Sequence, residues 1–369
     1  MSPHACDDHS RARHAGVGIC FQDRSWEERK PPAMAKFWDE PDDEDKSKYD
    51  EVYTFNRDGP GRADVREFVE NLYQRYLPYC GDPDFARKMR HEFNACTWQM
   101  YSGVSLLEAG LVLEKADAKG PDHKALVAGK RVWVESIARE PGDGDDRPKR
   151  KVSFESERKE HKLESGTIYT QHAIFRPDDK GIALRLTGGI WEKVKQHRQW
   201  VEDKVISPDD PYIIAIGAGL IQDADLQGEF PRIVQVVYGL DDLGLIVTPY
   251  SDEPPKVVPT YRNEVKDSKG RAIPLTGFLD PNTIPEVSAV IFCGHGAWNP
   301  PLKIGRDLVT VYNAVATHKL SPGTIPLGRE YWVDVGHVRT RDHREPLPDP
   351  EVDPETKRAV DELLAKREK

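Results

Sequence analysis

The sequence predicts an α/β (or α+β) fold, a central mixed β-sheet flanked by helices. Three observations lead there. Segments 61–79 and 82–114 repeat apolar residues at helical spacing. A hairpin pattern follows in GPDHKALVAGKRVWVESIARE, residues 120–140. Apolar, β-rich runs then recur beyond an amphipathic helical stretch, as expected of strands buried in a sheet.

The 369 residues are 38% hydrophobic, enough for one large domain or two modest ones. A formal net charge of -10 argues against a protein held to nucleic acid by a general positive field, but leaves room for a local basic groove. The five cysteines are scattered without a CxxC pair, which points to reduced thiols rather than a disulfide frame or zinc site. No apolar stretch has the length of a membrane span and no signal peptide heads the chain. The expectation is a cytoplasmic protein without a membrane partner, and a homo-oligomer remains open.

Residues 1–55 are polar, without apolar period, and read as a disordered N-terminal segment despite the His and Cys of HACDDHSRARH. Order is expected from about residue 60. In 61–79, Val65, Phe68, Val69, Leu72, Tyr76 and Leu77 share a helical face. The stretch from Asp82 reads as one long helix, with Asp82 as N-cap, Pro83 at the first helical position and Gly110 at the end. Residues 141–164 are highly charged and read as a loop or linker. TIYTQHAIF and GIALRLT (within 166–187) read as strands, GIWEKVKQHRQWVEDKVI as a short helix, and PYIIAIGAG and RIVQVVYG as buried strands. Further strands are expected at 288–293 and 307–313, and the tail as a polar helix. The domain reading is a core over 60–250 and a C-terminal extension, 251–369, packed on it.

Two acids in the hairpin need a reason. Strand interiors disfavour Glu, and a buried carboxylate needs a partner. If Ala128-Gly129 is the turn, Asp122 lies opposite Glu135. If Gly129-Lys130 is the turn, they are diagonal neighbours, and in both registers they share a face. Two carboxylates that close repel unless a proton or cation lies between them, and Mg²⁺ is a natural resolution. The structural alternative makes Asp122 a turn residue and pairs Glu135 with Lys124 or Arg131.

Pro121-Asp122 opening one strand and Glu135-Ser136-Ile137 in the next resemble the PD-(D/E)XK nuclease superfamily, whose pattern includes a Glu on the preceding helix. Glu92 is the candidate there, with Gln99 on the same helix face. Downstream, Gln196 and Trp200 resemble the QxxxY helix motif of the RecB-like branch. The resemblance covers about 80–220. It implies a restriction-endonuclease-like core and a metal-dependent nuclease acting on DNA, in defence or repair. In that reading Asp122, Glu135, the Ser136 carbonyl and Glu92 hold Mg²⁺ or Mn²⁺. Gln196, Arg198 and Trp200 face nucleic acid. The family's lysine would fall at 137, where this chain has Ile137. Lys193, one turn before Gln196 on the same face, is the substitute, with Lys124 a second choice. The alternatives are an inactive nuclease-fold protein that binds nucleic acid or a protein partner, and an unrelated fold with structural acids. A phosphate-binding strip in 256–271 (Lys256, Arg262, Lys266, Lys269, Arg271) and a Cys293–His295 thiol site were weaker readings.

Overall fold

The computed structural model describes residues 36–39, 45–154, 159–163, 166–170, 173–226, 230–246, 256–275, 277–296, 300–301, 303–346 and Arg358. The His/Cys-rich tract of residues 1–35 lies outside them, as does the predicted C-terminal helix apart from Arg358.

Four helices come first: α1 (Glu51–Asp58), α2 (Ala63–Tyr76), α3 (Phe85–His91) and α4 (Phe93–Glu108). Strands β1 (Val112–Glu114), β2 (His123–Val127) and β3 (Lys130–Ala138) follow as a meander. Next come β4 (Lys151–Phe154), β5 (Lys159–Leu163), β6 (Gly166–Thr170) and β7 (Ala173–Arg176), as ribbons β4·β7 and β5·β6. The long helix α5 (Asp179–Glu202) leads to β8 (Tyr212–Gly217), and α6 (Arg232–Tyr238) leads to the ribbon β9 (Leu240–Ile246) with β10 (Lys256–Tyr261). After the small ribbon β11 (Glu264–Lys266) and β12 (Ala272–Pro274), the chain returns as β13 (Val287–Cys293), β14 (Val309–Tyr312), β15 (Arg329–Asp334) and β16 (His337–Asp342).

The central sheet has eight strands in the order β1-β2-β3-β8-β13-β14-β15-β16. Its middle strands β3, β8 and β13 run parallel, while the meander β1-β2-β3 is antiparallel. Parallel central strands must be covered on both faces, and their residues alternate between two cores. Ile213, Ala215, Ala289 and Ile291 pack towards α1–α4, whereas Ile214, Ile216, Val290 and Phe292 pack towards α5 and α6. Strands β13–β16 belong to this same sheet, so the residues beyond 251 complete the core rather than decorate it.

Several expectations are corrected. Order begins well before residue 60: Asp50 caps α1 by accepting from Val52 N and Tyr53 N, and Phe37 and Trp38 pack on Tyr53. The single helix from Asp82 is two helices, broken at Glu92, whose φ of -133° and ψ of 48° are not helical. The charged linker contains β4 and β5.

GIALRLT is the first half of α5. Ile182, Leu186, Ile190 and Val194 line its buried stripe at intervals of four, which continues through the Gly188-Gly189 pair that looked like a break. Two helical glycines cost about 1 kcal/mol each relative to Ala. They are used here: Arg139 from the end of β3 lies over them, and a Cβ on Gly189 would come within 2.9 Å of its Cδ. RIVQVVYG is α6, buried all round, so it offers no polar face from which a helical period could be read. Among the described residues, no helix is long and apolar enough to cross a membrane.

Candidate metal and catalytic site

The β2–β3 hairpin turns at Ala128 (φ 49°) and Gly129 (φ 79°), two left-handed residues that match the right-handed twist of the strands. Val127 pairs with Lys130 and His123 with Val134, which continues to Asp122 opposite Glu135. The first of the two anticipated registers is the one adopted.

The carboxylates bind backbone N–H groups across the hairpin. Asp122 N donates to Glu135 Oε2 at 3.1 Å, and Ser136 N donates to Asp122 Oδ2 at 2.9 Å. Helix α5 crosses this face and delivers Lys193, whose Nζ lies 2.7 Å from Glu135 Oε1 and 3.0 Å from Gln196 Oε1. Four residues read from the sequence (Asp122, Glu135, Lys193 and Gln196) therefore converge. Ile137 points to the same α5 side as Glu135, and Lys193 reaches over from the helix to Glu135.

The electrostatics are those of crowded carboxylates. Glu135 is only 5% exposed, and burial followed by the neighbouring Asp122 charge raises its pKa, against the pull of Lys193. Burial also raises Asp122, with the Ser136 N–H, Lys193 and Lys88 working in the opposite direction. Such a pair holds a proton or a cation more readily than two bare charges. Ser136 N–H points at Asp122, and in an extended strand the carbonyl of a residue points to the same side as its N–H. Beyond His123, β2 has no ladder bond for that carbonyl. Two carboxylates and a carbonyl are hard oxygen donors of the kind Mg²⁺ or Mn²⁺ takes.

Behind the acids lies a support that the sequence did not suggest. His123 Nε2, Ser102 Oγ and Ser136 Oγ lie within 2.8–3.1 Å of one another, all buried. Burial lowers the His123 pKa to about 3, so the ring is neutral. Tyr76 OH donates to the Asp122 carbonyl at 3.3 Å and accepts from Gln99 Nε2 at 2.8 Å. Gly103 makes room for this, since a Cβ there would meet Tyr76 Cδ2 at 2.8 Å and His123 Cε1 at 2.9 Å.

The remaining candidates are placed differently. Glu92, at the α3–α4 break, is 56% exposed and lies 3.9 Å from Lys88 Nζ. Burial works against the Lys88 charge, but Cys96, Glu92, Asp122 and Asp82 outweigh it and raise its pKa, so Lys88 stands beside the acids. Lys124 pairs with Glu114 at 3.1 Å, leaving Lys193 as the lysine on Glu135. Arg198 is bonded to Glu286 Oε1 at 2.5 Å and to the Thr283 carbonyl at 3.4 Å, and Trp200 packs partly buried on the α5-side core. In the 256–271 strip, Arg271 pairs with Asp267 at 2.6 Å and Lys266 with Glu264 at 3.7 Å, as an ordinary solvated loop does.

A second cluster lies on the α1–α4 side of the sheet. Cys293 Sγ is 2.8 Å and His295 Nδ1 3.6 Å from Asp307 Oδ2. Burial and the Asp307 charge hold the Cys293 thiol well above its ordinary pKa, the opposite of what a thiolate nucleophile requires. Asp307, fourteen residues from Cys293, is the third group, and no local motif marks it.

Compared with protein-family models, curated proteins and solved structures, the chain has no match.

Proposed function

We propose that the protein is a metal-dependent phosphodiester hydrolase of the PD-(D/E)XK type, acting on DNA. The observation that carries this reading is the Lys193–Glu135 contact of 2.7 Å, made beside Asp122 on a face where the motif lysine is replaced by Ile137. A structural Glu135 would be satisfied by Lys193 alone; what favours a site is that Asp122 shares the face and Gln196 orients the same ammonium.

In this reading Asp122, Glu135 and the Ser136 carbonyl hold Mg²⁺ or Mn²⁺. The bound cation would neutralise charge on a phosphate oxygen and lower the pKa of a bound water. Lys193 orients the attacking water and stabilises the negative charge that develops on the phosphoryl oxygens. Gln196 positions Lys193 rather than touching substrate. The Ser102–His123–Ser136 network keeps the β3 backbone, and so the carbonyl, in place. Lys88 supplies a cation at the mouth of an otherwise acidic site, where a polyanionic backbone needs one.

The test is cleavage of single- and double-stranded DNA by the purified chain with Mg²⁺ or Mn²⁺, against Asp122→Asn and Lys193→Ala. Metal-dependent cleavage lost in both variants supports the reading. Metal binding at the acids without cleavage favours the inactive, nucleic-acid- or protein-binding alternative. Absence of metal binding and cleavage, with DNA present, sinks the hydrolase reading and leaves the inactive alternative.

A further inference from the structure

The Cys293 cluster stands apart from the acids, on the opposite face of the sheet. Cys293 closes β13, His295 follows two residues later, and Asp307 precedes the neighbouring strand β14. One donor atom from each lies within 4.8 Å of the others. Asp307 is oriented from behind: Tyr101 OH donates to its Oδ1 while accepting from Gly305 N at 2.9 Å, which leaves Oδ2 directed at Cys293 and His295. A tetrahedral zinc ion bound by S, N and O would set donor separations of about 3.3–3.5 Å. The two separations from Asp307, 2.8 Å and 3.6 Å, lie within about 0.7 Å of these, and the Cys293–His295 separation is no more than 4.8 Å.

The cluster opens into a pocket walled by Phe68, Trp98 and Tyr101 and floored by Gly217 and Gly219. It lies past the C-terminal ends of β3, β8 and β13, where open α/β sheets bind their ligands. The glycines are required by geometry. A Cβ on Gly219 would meet Gly296 N and Cα and the His295 carbonyl at 2.6 Å, and one on Gly217 would meet the Trp98 ring at 2.6 Å. They let the loop bearing His295 lie directly on the loop that follows β8.

We propose that Cys293, His295 and Asp307 form a three-ligand site for a zinc-class divalent cation, with the fourth position open to the pocket and filled by water. The donor set decides the ion. A thiolate with an imidazole selects Zn²⁺ or Co²⁺ over Mg²⁺, whereas the oxygen donors at Asp122 and Glu135 have the opposite preference. The two sites sort cations by softness, and this one is independent of the hydrolase reading.

The full chain, stripped with chelator, is titrated with Zn²⁺ by calorimetry and with Co²⁺ by absorption, where a thiolate ligand gives a charge-transfer band in the near ultraviolet. One equivalent is expected, with the band, and Zn²⁺ affinity should fall on the order of 100-fold in His295→Gln and Asp307→Asn. Cys293→Ser should lose the band. His295 lies in a loop and is partly exposed, so its variant tests the site without threatening the core. A wild type without the thiolate band overturns the proposal. So does a band that persists in Cys293→Ser and disappears only when Cys6 and Cys20 are replaced, or Zn²⁺ affinity unaltered in both His295→Gln and Asp307→Asn.

Discussion

Lys193 and Glu135, 58 positions apart in sequence, meet at 2.7 Å with side chains only 12% and 6% exposed. A buried ion pair of this kind is expensive to break from one side, because the surviving charge has no water to turn to. Lys193→Met is expected to lower stability by about 3 kcal/mol at pH 8. The loss should be smaller at pH 6, below the raised Glu135 pKa of about 8, where Glu135 holds a proton and needs no partner. Urea unfolding at both pH values measures it, and equal losses would show that the pair is not charged. Cleavage should fall by about 10²-fold or more, the range for losing a positioned proton-handling group.

The raised pKa of Glu135 has a defined sign in stability. Its folded value lies above its unfolded one, so between the two the folded chain retains a proton that the unfolded chain has released. Stability from this group is therefore greatest below its unfolded pKa and is lost as pH rises through the folded value. Glu135→Gln removes that loss. Stability of the variant minus that of the wild type should increase from about pH 4.5 upwards and level off once Glu135 is ionised in both states. Mg²⁺ competes with the same proton, so the rise in Tm that it gives the wild type should be larger at pH 8 than at pH 5.5. A flat difference curve, or a Mg²⁺ effect independent of pH, contradicts the assignment.

Much of this site was legible because strand geometry has few options. A hairpin with one short turn fixes which residues share a face, so Asp122 and Glu135 could be paired from spacing alone. Lys193 and Gln196 followed from the helical period. What could not be read was anything set by packing between distant segments. The break at Glu92 depends on how α3 and α4 pack. The helical state of 181–187 depends on the core against which Ile182 and Leu186 pack. His123 looked like one more strand residue, yet Ser102 from α4 and Ser136 from β3 make it the centre of a buried network. Asp307 had no local signal at all. The sheet was legible as a class, and β13 and β14 were expected near 288–293 and 307–313, but β15, β16 and the joining of all four strands to the core sheet were not, because pairing between distant segments leaves no local signal.

Glu92 is the one acid of the anticipated set that is exposed. Its side chain is 56% exposed and its nearest cation, Lys88, is 3.9 Å away, a separation worth little in water. Glu92→Gln should therefore keep cleavage within about 3-fold of wild type, consistent with the 0–1 kcal/mol typical of exposed pairs. Asp122→Asn, by contrast, should abolish it. A loss in Glu92→Gln as large as in Asp122→Asn would mean that Glu92 swings in to complete the site when substrate and metal are bound.

The diglycine in α5 separates packing from propensity. At Gly189 an added Cβ would meet Arg139 Cδ at 2.9 Å and Nε at 3.3 Å, and Arg139 is tied to Glu192 at 3.0 Å. At Gly188 the nearest atom is Arg139 Nη2 at 3.6 Å, an ordinary contact. Gly188→Ala should then gain the helix-propensity difference of about 1 kcal/mol. Gly189→Ala should gain less or turn destabilising, because Arg139 must move and loosen its bond to Glu192. Chemical denaturation of the two variants measures the contrast. Equal stabilisation by both would show that Arg139 gives way freely and that the glycines are not kept for it.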